Sequence, residues 1–200
     1  MHKQEQATTG VADVIRKRWS PRAFDATKPI NEEQLQRLFE SARWAPSCFG
    51  DEPWRFLVFD RHRDAKIWQQ GFECLSEGNQ VWAAAAPILI YILASEQFAH
   101  NNNPNRWAQY DSGAAALSIC LQAVAEGLVS HQMGGFDAKL LRERFHIPQQ
   151  VQPMAAMAIG YQANADILPK PLRERELAQR KRKPINETVF YADWEKPWSE

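Results

Sequence analysis

The sequence is poor in the features that usually allow a quick assignment. Its cysteines, Cys48, Cys74 and Cys120, are odd in number and far apart, and they form no CxxC. A disulfide framework is therefore not expected, and a reduced, cytoplasmic setting is. Net charge is also absent, with Lys+Arg 24 against Asp+Glu 24. The chain as a whole has no electrostatic pull toward nucleic acid or anionic membranes, so neither is expected as a partner. Long hydrophobic runs are missing too. The longest, "VWAAAAPILIYILA" from Val81 to Ala94, contains a proline and falls short of the roughly 18 residues that a membrane span needs. The polar start "MHKQEQATTG" shows no secretory signal.

The common catalytic signatures are missing as well. No GxSxG elbow, phosphate-binding P-loop or GxGxxG after a strand is present. His2, His62, His100, His131 and His146 lack the short spacings of zinc ligands, so no metal is expected. Cys48 reads better as a small packed thiol than as a nucleophile. Demanding chemistry in such a chain is expected to come from a bound cofactor.

What is present suits one compact unit over residues 1–200, with 164–200 as an extended C-terminal tail that is polar, basic and interrupted by prolines. Eight tryptophans supply more aromatic area than so short a chain needs for its core, which favours a homodimer. A first helix is expected from a cap at Thr8 or Thr9, with Val11, Val14 and Ile15 facing inward and an end before Pro21. "PINEEQLQRLFESARWAPS" is the clearest helix, with Asn31 and Gln34 spaced as a capping box. Trp54–Asp60 reads as a strand, "RHRDAKIWQQGFECL" as a helix, and Pro87–Ala94 as a strand buried on both faces. An Ala/Leu-rich helix from about Gln109 to Glu126 ends at Gly127 and is apolar nearly all round, as in a core or a subunit interface. A short helix capped by Asp137 and a buried strand over Met154–Tyr161 follow. The elements alternate without a clean βα repeat. The expected architecture is α+β, with a mixed, mainly antiparallel central sheet flanked by helices in three layers.

Four segments combine cations, hydroxyls and glycines. "RKRWSPRAF" places Arg16, Lys17, Arg18, Ser20 and Arg22 close together, although basic residues at a helix C-terminus also favour the helix dipole without any ligand. "RWAPSCFGDEPWRF" could be no more than a helix-to-strand loop whose Trp54 fills the core. "HQMGGFD" has paired glycines that admit a close backbone approach or simply a tight turn. "RKRKPINETV" is a charge run of the kind that usually faces solvent.

Taken together and in this order, "RWSPRAF", "APSCFGDEPW", "GGFD", "AIGY" and "RKRKP" resemble the nitroreductase family of FMN-dependent oxidoreductases, over roughly Val14 to Val189. The resemblance implies tightly bound FMN, NAD(P)H as reductant and a homodimer with shared sites. By position it implies that Arg18, Trp19, Ser20 and Arg22 meet FMN, with Arg18 on the phosphate, Ser20 near the ribityl chain and Arg22 beside the N1–C2=O edge. Arg180 and Arg182 match the late basic pair that closes on the phosphate. Pro46, Ser47 and Cys48 match the loop lent to the flavin of the other subunit. Met133, Gly134 and Gly135 match the loop at the N5 side, with the Gly134 backbone and Arg22 as electrostatic support. Asn79 matches an Asn at the pyrimidine end, or else caps a helix. Two positions depart from the pattern: Gly50 stands where the family has Asn, and Glu52 where it has Gln.

The implied activity is reduction of nitroaromatics, quinones or related acceptors by ping-pong hydride transfer through flavin N5. No side chain is assigned to the chemical step itself. A non-turnover flavin carrier or sensor, a reductive dehalogenase and a flavin-degrading enzyme are the alternatives.

Overall fold

A computed structural model describes residues 10–198. Among these, the helices are α1 (Asp13–Lys17), α2 (Glu32–Arg43), α3 (Ala65–Phe72), α4 (Glu77–Ala83), α5 (Ala108–Ala125), α6 (Ala138–Arg144) and α7 (Lys170–Leu177). The strands β1 (Trp54–Asp60), β2 (Ile88–Ser95), β3 (Val129–Met133) and β4 (Val151–Gly160) form one sheet in the order β1-β2-β4-β3. All three pairings are antiparallel. No helix among the described residues is long and apolar enough to cross a membrane.

The apolar run of β2 becomes the centre of the molecule because it is paired on both sides and its side chains alternate. Ile88, Ile90 and Ile92 pack with Leu38 and Ala42 of α2 and with Ala115, Ala116, Ile119 and Ala123 of α5. Leu89, Tyr91 and Leu93 face the opposite core, with Phe24, Phe59, Trp68 and Trp82. Three layers follow directly, with the sheet between two helical faces.

Local rules explain several boundaries. Asn31 accepts from the Gln34 backbone N–H at 2.8 Å while the Gln34 side chain accepts from the Asn31 N–H at 3.3 Å, the capping box expected from the sequence. Asp137 accepts from the Leu140 N–H at 2.9 Å and starts α6. Gly127, at φ +71°, turns the chain out of α5.

Several expectations need correction. The Thr8 or Thr9 cap lies outside the described residues, and α1 is flanked at its start by Ala12 with no side-chain cap. No residue of α1 is buried, and Val11 and Ile15 are exposed rather than turned inward. Asn79 lies within α4 and so caps nothing, while Ser76 holds the N-cap position. Strand β3 carries no sequence signal of its own, because "VSHQM" has three consecutive polar residues, Ser130, His131 and Gln132. Strand β4 begins at Val151, earlier than the apolar run suggested.

Candidate functional site

The opening basic stretch and the C-terminal tail meet. Arg18, Trp19, Ser20 and Arg22 line a cavity of about 260 Å³ together with Arg175, Ala178, Gln179, Arg180 and Arg182. Five arginines from opposite ends of the chain thus line one small space. Arg18 donates to the Ser20 hydroxyl at 3.3 Å. Burial lowers the pKa of Arg18 below the ordinary arginine value, and the charges of Arg182 and Arg180 push it the same way. Mutual repulsion of this kind is relieved by an anion. A larger groove of about 860 Å³ runs along α2 and β1 past Phe39, Trp54 and Phe56, but there Arg37, Arg43 and Arg55 share the lining with Glu33 and Glu40.

The tail is fastened by its own side chains. Arg180 donates to the backbone carbonyls of Arg18 at 2.7 Å and Arg16 at 2.8 Å, so it straps the tail across the end of α1. Glu176 in α7, only 2% exposed, accepts from the Arg22 N–H at 3.0 and 2.9 Å through its two oxygens, and from the Ala23 N–H at 3.2 Å.

A second group lies at the end of β3. The Asn79 side chain donates to the Gly135 carbonyl at 2.9 Å, and the Ser76 N–H donates to the same oxygen at 3.0 Å. A Cβ on Gly135 would lie 2.6 Å from the Ser76 hydroxyl and 2.8 Å from Asn79 Nδ2, so any larger residue would have to displace these side chains. Met133 is buried beneath this turn, whereas Gly134 is exposed. His131 links the two groups. Its Nδ1 lies 2.9 Å from the Pro21 carbonyl oxygen, and its ring packs on Trp82 at 4.4 Å between centroids. A carbonyl only accepts, so Nδ1 carries the proton. Burial pulls the His131 pKa down to about 4, and the charges of Arg22 and Arg18 add to this against the backbone carbonyls of Pro21 and Ser20. The imidazole is neutral at physiological pH.

Pro46, Ser47 and Cys48 do not line this cavity. Their loop is held elsewhere, by the Asp111 carboxylate of α5 accepting from the Cys48 N–H at 2.9 Å and by the Ser47 hydroxyl accepting from the Glu52 N–H at 3.1 Å. Asp51 accepts from the Ala99 N–H at 2.8 Å and from Asn105 Nδ2 at 3.2 Å, joining the loop to the segment between β2 and α5. Phe49, Gly50 and Glu52 all have positive φ, at 56°, 64° and 47°, so the Gly50 departure falls where glycine is favoured. Glu52 is exposed. Arg43, raised chiefly by its hydrogen bond to Glu40, is raised further by the Glu52 charge, which places that carboxylate near a cation.

Sequence reading missed Glu176, His131, Asp111 and Asp51. For Glu176 a faint signal existed: it lies four residues after Leu172, which packs on the core, and so shares its helical face. The three cysteines are unpaired, as expected.

Comparison with known proteins bears on the family and the fold. A crystal structure described as an oxidoreductase containing FMN superposes with a TM-score of 0.88 and 33% identity, covering 97% of this chain and 96% of that one. An FMN-dependent nitroreductase from Clostridium difficile R20291 shares the fold, with a TM-score of 0.69 at 22% identity over 90% of this chain and 98% of its own. The Bacillus subtilis protein named "Putative NAD(P)H nitroreductase YodC" is 24% identical across 76% of this chain and 89% of its own length. The model of the nitroreductase family matches residues 15–161, and the chain belongs to that family.

Proposed function

We propose that this chain is an FMN-dependent oxidoreductase that uses NAD(P)H to reduce nitroaromatics, quinones or related acceptors. The observation that carries the reading is the convergence of Arg18, Arg22, Arg175, Arg180 and Arg182 on one cavity beside Ser20. Guanidinium forks match phosphate oxygens in geometry and charge, and a hydroxyl suits a polyol chain. The residues present therefore fit the phosphate end of FMN. A cavity of about 260 Å³ is below the roughly 300–1,000 Å³ of pockets that enclose whole ligands, so it would hold only part of FMN, and Asn79, Gly134 and Gly135 are the residues that would meet the ring. The names carried by the similar FMN-containing structure and by the B. subtilis relative support FMN and NAD(P)H.

Bound FMN supplies the hydride chemistry at N5, in a ping-pong cycle between reductant and acceptor. The protein supplies placement and charge. Arg18 and Arg182 would neutralise the phosphate, and Arg22 would supply fixed positive charge to offset the negative charge that reduction adds to the ring, which is preorganised electrostatics. His131, neutral and committed through Nδ1 to Pro21, keeps its donor on the backbone.

The working unit is a homodimer in which Pro46, Ser47 and Cys48 complete the site of a second copy. Supporting this, α5 leaves Tyr110 76% and Leu117 49% exposed beside Trp107, and Ile15 and Trp44 are exposed too. Apolar surface on this scale marks a contact face.

A visible spectrum of the purified protein, before and after anaerobic NADH or NADPH, tests the reading. A yellow preparation that bleaches with either donor and recovers on adding a quinone or nitroarene is expected. A colourless preparation that takes up no FMN ends it, and a yellow one that never bleaches points to the carrier alternative.

A further inference from the structure

Arg22 lies between two polar side chains, Glu176 buried and His131 partly buried, that reach the backbone of its segment from different parts of the chain. On one edge, His131 donates from Nδ1 to the Pro21 carbonyl at 2.9 Å. On the other, Glu176 accepts from the Arg22 N–H through both oxygens, at 3.0 and 2.9 Å, and from the Ala23 N–H at 3.2 Å. The stretch Pro21–Ala23 is in no helix or strand of the sheet; the Ala23 carbonyl accepts from the Ala163 N–H at 2.9 Å beside an antiparallel bridge of Phe24 with Gln162, whereas the Pro21 carbonyl and the Arg22 and Ala23 N–H groups find their partners in these side chains. Glu176 is 2% exposed, and its oxygens face donors that belong to the strip carrying Arg18, Ser20 and Arg22.

We infer that Glu176 and His131 are positioning residues for Arg22, gripping the two polar edges of one peptide segment so that its guanidinium is preset for the flavin. This rests on the FMN reading above. Neither residue needs to touch the cofactor. Preorganised charge acts only when its carrier is held in place before the ligand arrives. An arginine on an unsupported irregular segment loses much of that advantage to the entropy of ordering. The clamp also couples two events. Glu176 sits shortly before Ala178, Gln179 and Arg180, which line the same cavity, so docking of the tail and placement of Arg22 go together.

A double-mutant cycle tests this. FMN affinity of the apoprotein, by quenching of FMN fluorescence, and the midpoint potential of the bound flavin are measured for wild type, Arg22→Ala, Glu176→Gln and the double variant. Glutamine keeps the shape of the side chain and removes one of the two acceptors. The single Glu176→Gln change is expected to weaken FMN binding about tenfold, the usual scale for a buried hydrogen bond to a charged group, and to shift the potential in the same direction as Arg22→Ala. In the Arg22→Ala background it should have almost no further effect, because the two act through one group. Additive effects, or a lowered melting temperature with affinity and potential unchanged, overturn the inference.

If Glu176→Gln does not fold, the pair His131→Leu and His131→Asn decides. Leucine should reproduce the shift in potential, and asparagine, which can donate to the Pro21 carbonyl, should restore it. No shift with leucine overturns the inference. Wild-type protein that takes up no FMN defeats the underlying reading, an outcome distinct from each of the others.

Discussion

His131 and Pro21 are 110 residues apart in sequence, and a 2.9 Å hydrogen bond from the imidazole Nδ1 to the Pro21 carbonyl joins them. That bond ties β3, whose end leads into the Gly134–Gly135 turn, to the arginine-bearing strip at the other end of the chain. Its consequences can be measured.

The first concerns pH. Burial holds the folded pKa of His131 down at about 4, against about 6.5 in an unfolded chain. Between these values the unfolded state binds more protons, so stability rises with pH. The contribution is present above about 6.5 and is lost as pH falls toward 4. Melting temperatures taken from pH 7 downward should drop less steeply for His131→Asn, which keeps a donor and does not titrate. The difference in slope is at most about 1.4 kcal/mol per pH unit for a single proton. Parallel curves for the two proteins would contradict the assignment.

The second concerns the phosphate. Arg18→Ala should weaken FMN binding by about 1.5–3 kcal/mol, the range of a charged hydrogen bond, while riboflavin, which lacks the phosphate, loses little. Titration of both ligands gives the comparison. Equal losses for the two would move Arg18 away from the phosphate.

Gly134 and Gly135 should behave differently despite being adjacent. A Cβ at Gly134 meets nothing within 4 Å, whereas at Gly135 it meets Ser76 and Asn79 at 2.6 and 2.8 Å. Gly135→Ala is expected to cost about 1–3 kcal/mol by overpacking and to break the Asn79 contact. Gly134→Ala should melt like wild type. Differential scanning calorimetry of the two variants decides.

The exposed face of α5 gives a fourth expectation. Leu117→Glu places a charge on a residue that is 49% exposed in the single chain, so the monomer should fold normally. Sedimentation should show the dimer weakened, and FMN retention should fall with it, because the Pro46–Cys48 loop then no longer serves a second copy. A dimer that persists unchanged would locate the interface elsewhere.

Much of the fold could be read along the chain where local rules govern. The Asn31–Gln34 box, the Asp137 cap, the Gly127 stop and the unbroken apolar run of β2 each carry their own signal within a few residues. Val11 and Ile15 misled because helical apolar spacing says that a face will be covered and not what covers it. Strand β3 stayed hidden because His131 and Gln132 break the apolar pattern; its pairing with β4, not its composition, makes it a strand. At the site, arginines and glycines could be named from ordered motifs, but Glu176 looked like any acid in a charge run, and Asp111 like any polar residue near the start of a helix.

The sequence by itself determined α2, α5, α6, β1 and β2, and it supplied the inventory of cations, hydroxyls and glycines, because capping, periodicity and turn preference act over a few neighbours. Only the tertiary structure decided that Arg18 and Arg182 share a cavity and that Glu176 and His131 grip the same peptide segment. Those contacts join residues more than a hundred positions apart. Such a contact is set by how the packed layers bring chain ends together, and no local rule specifies it.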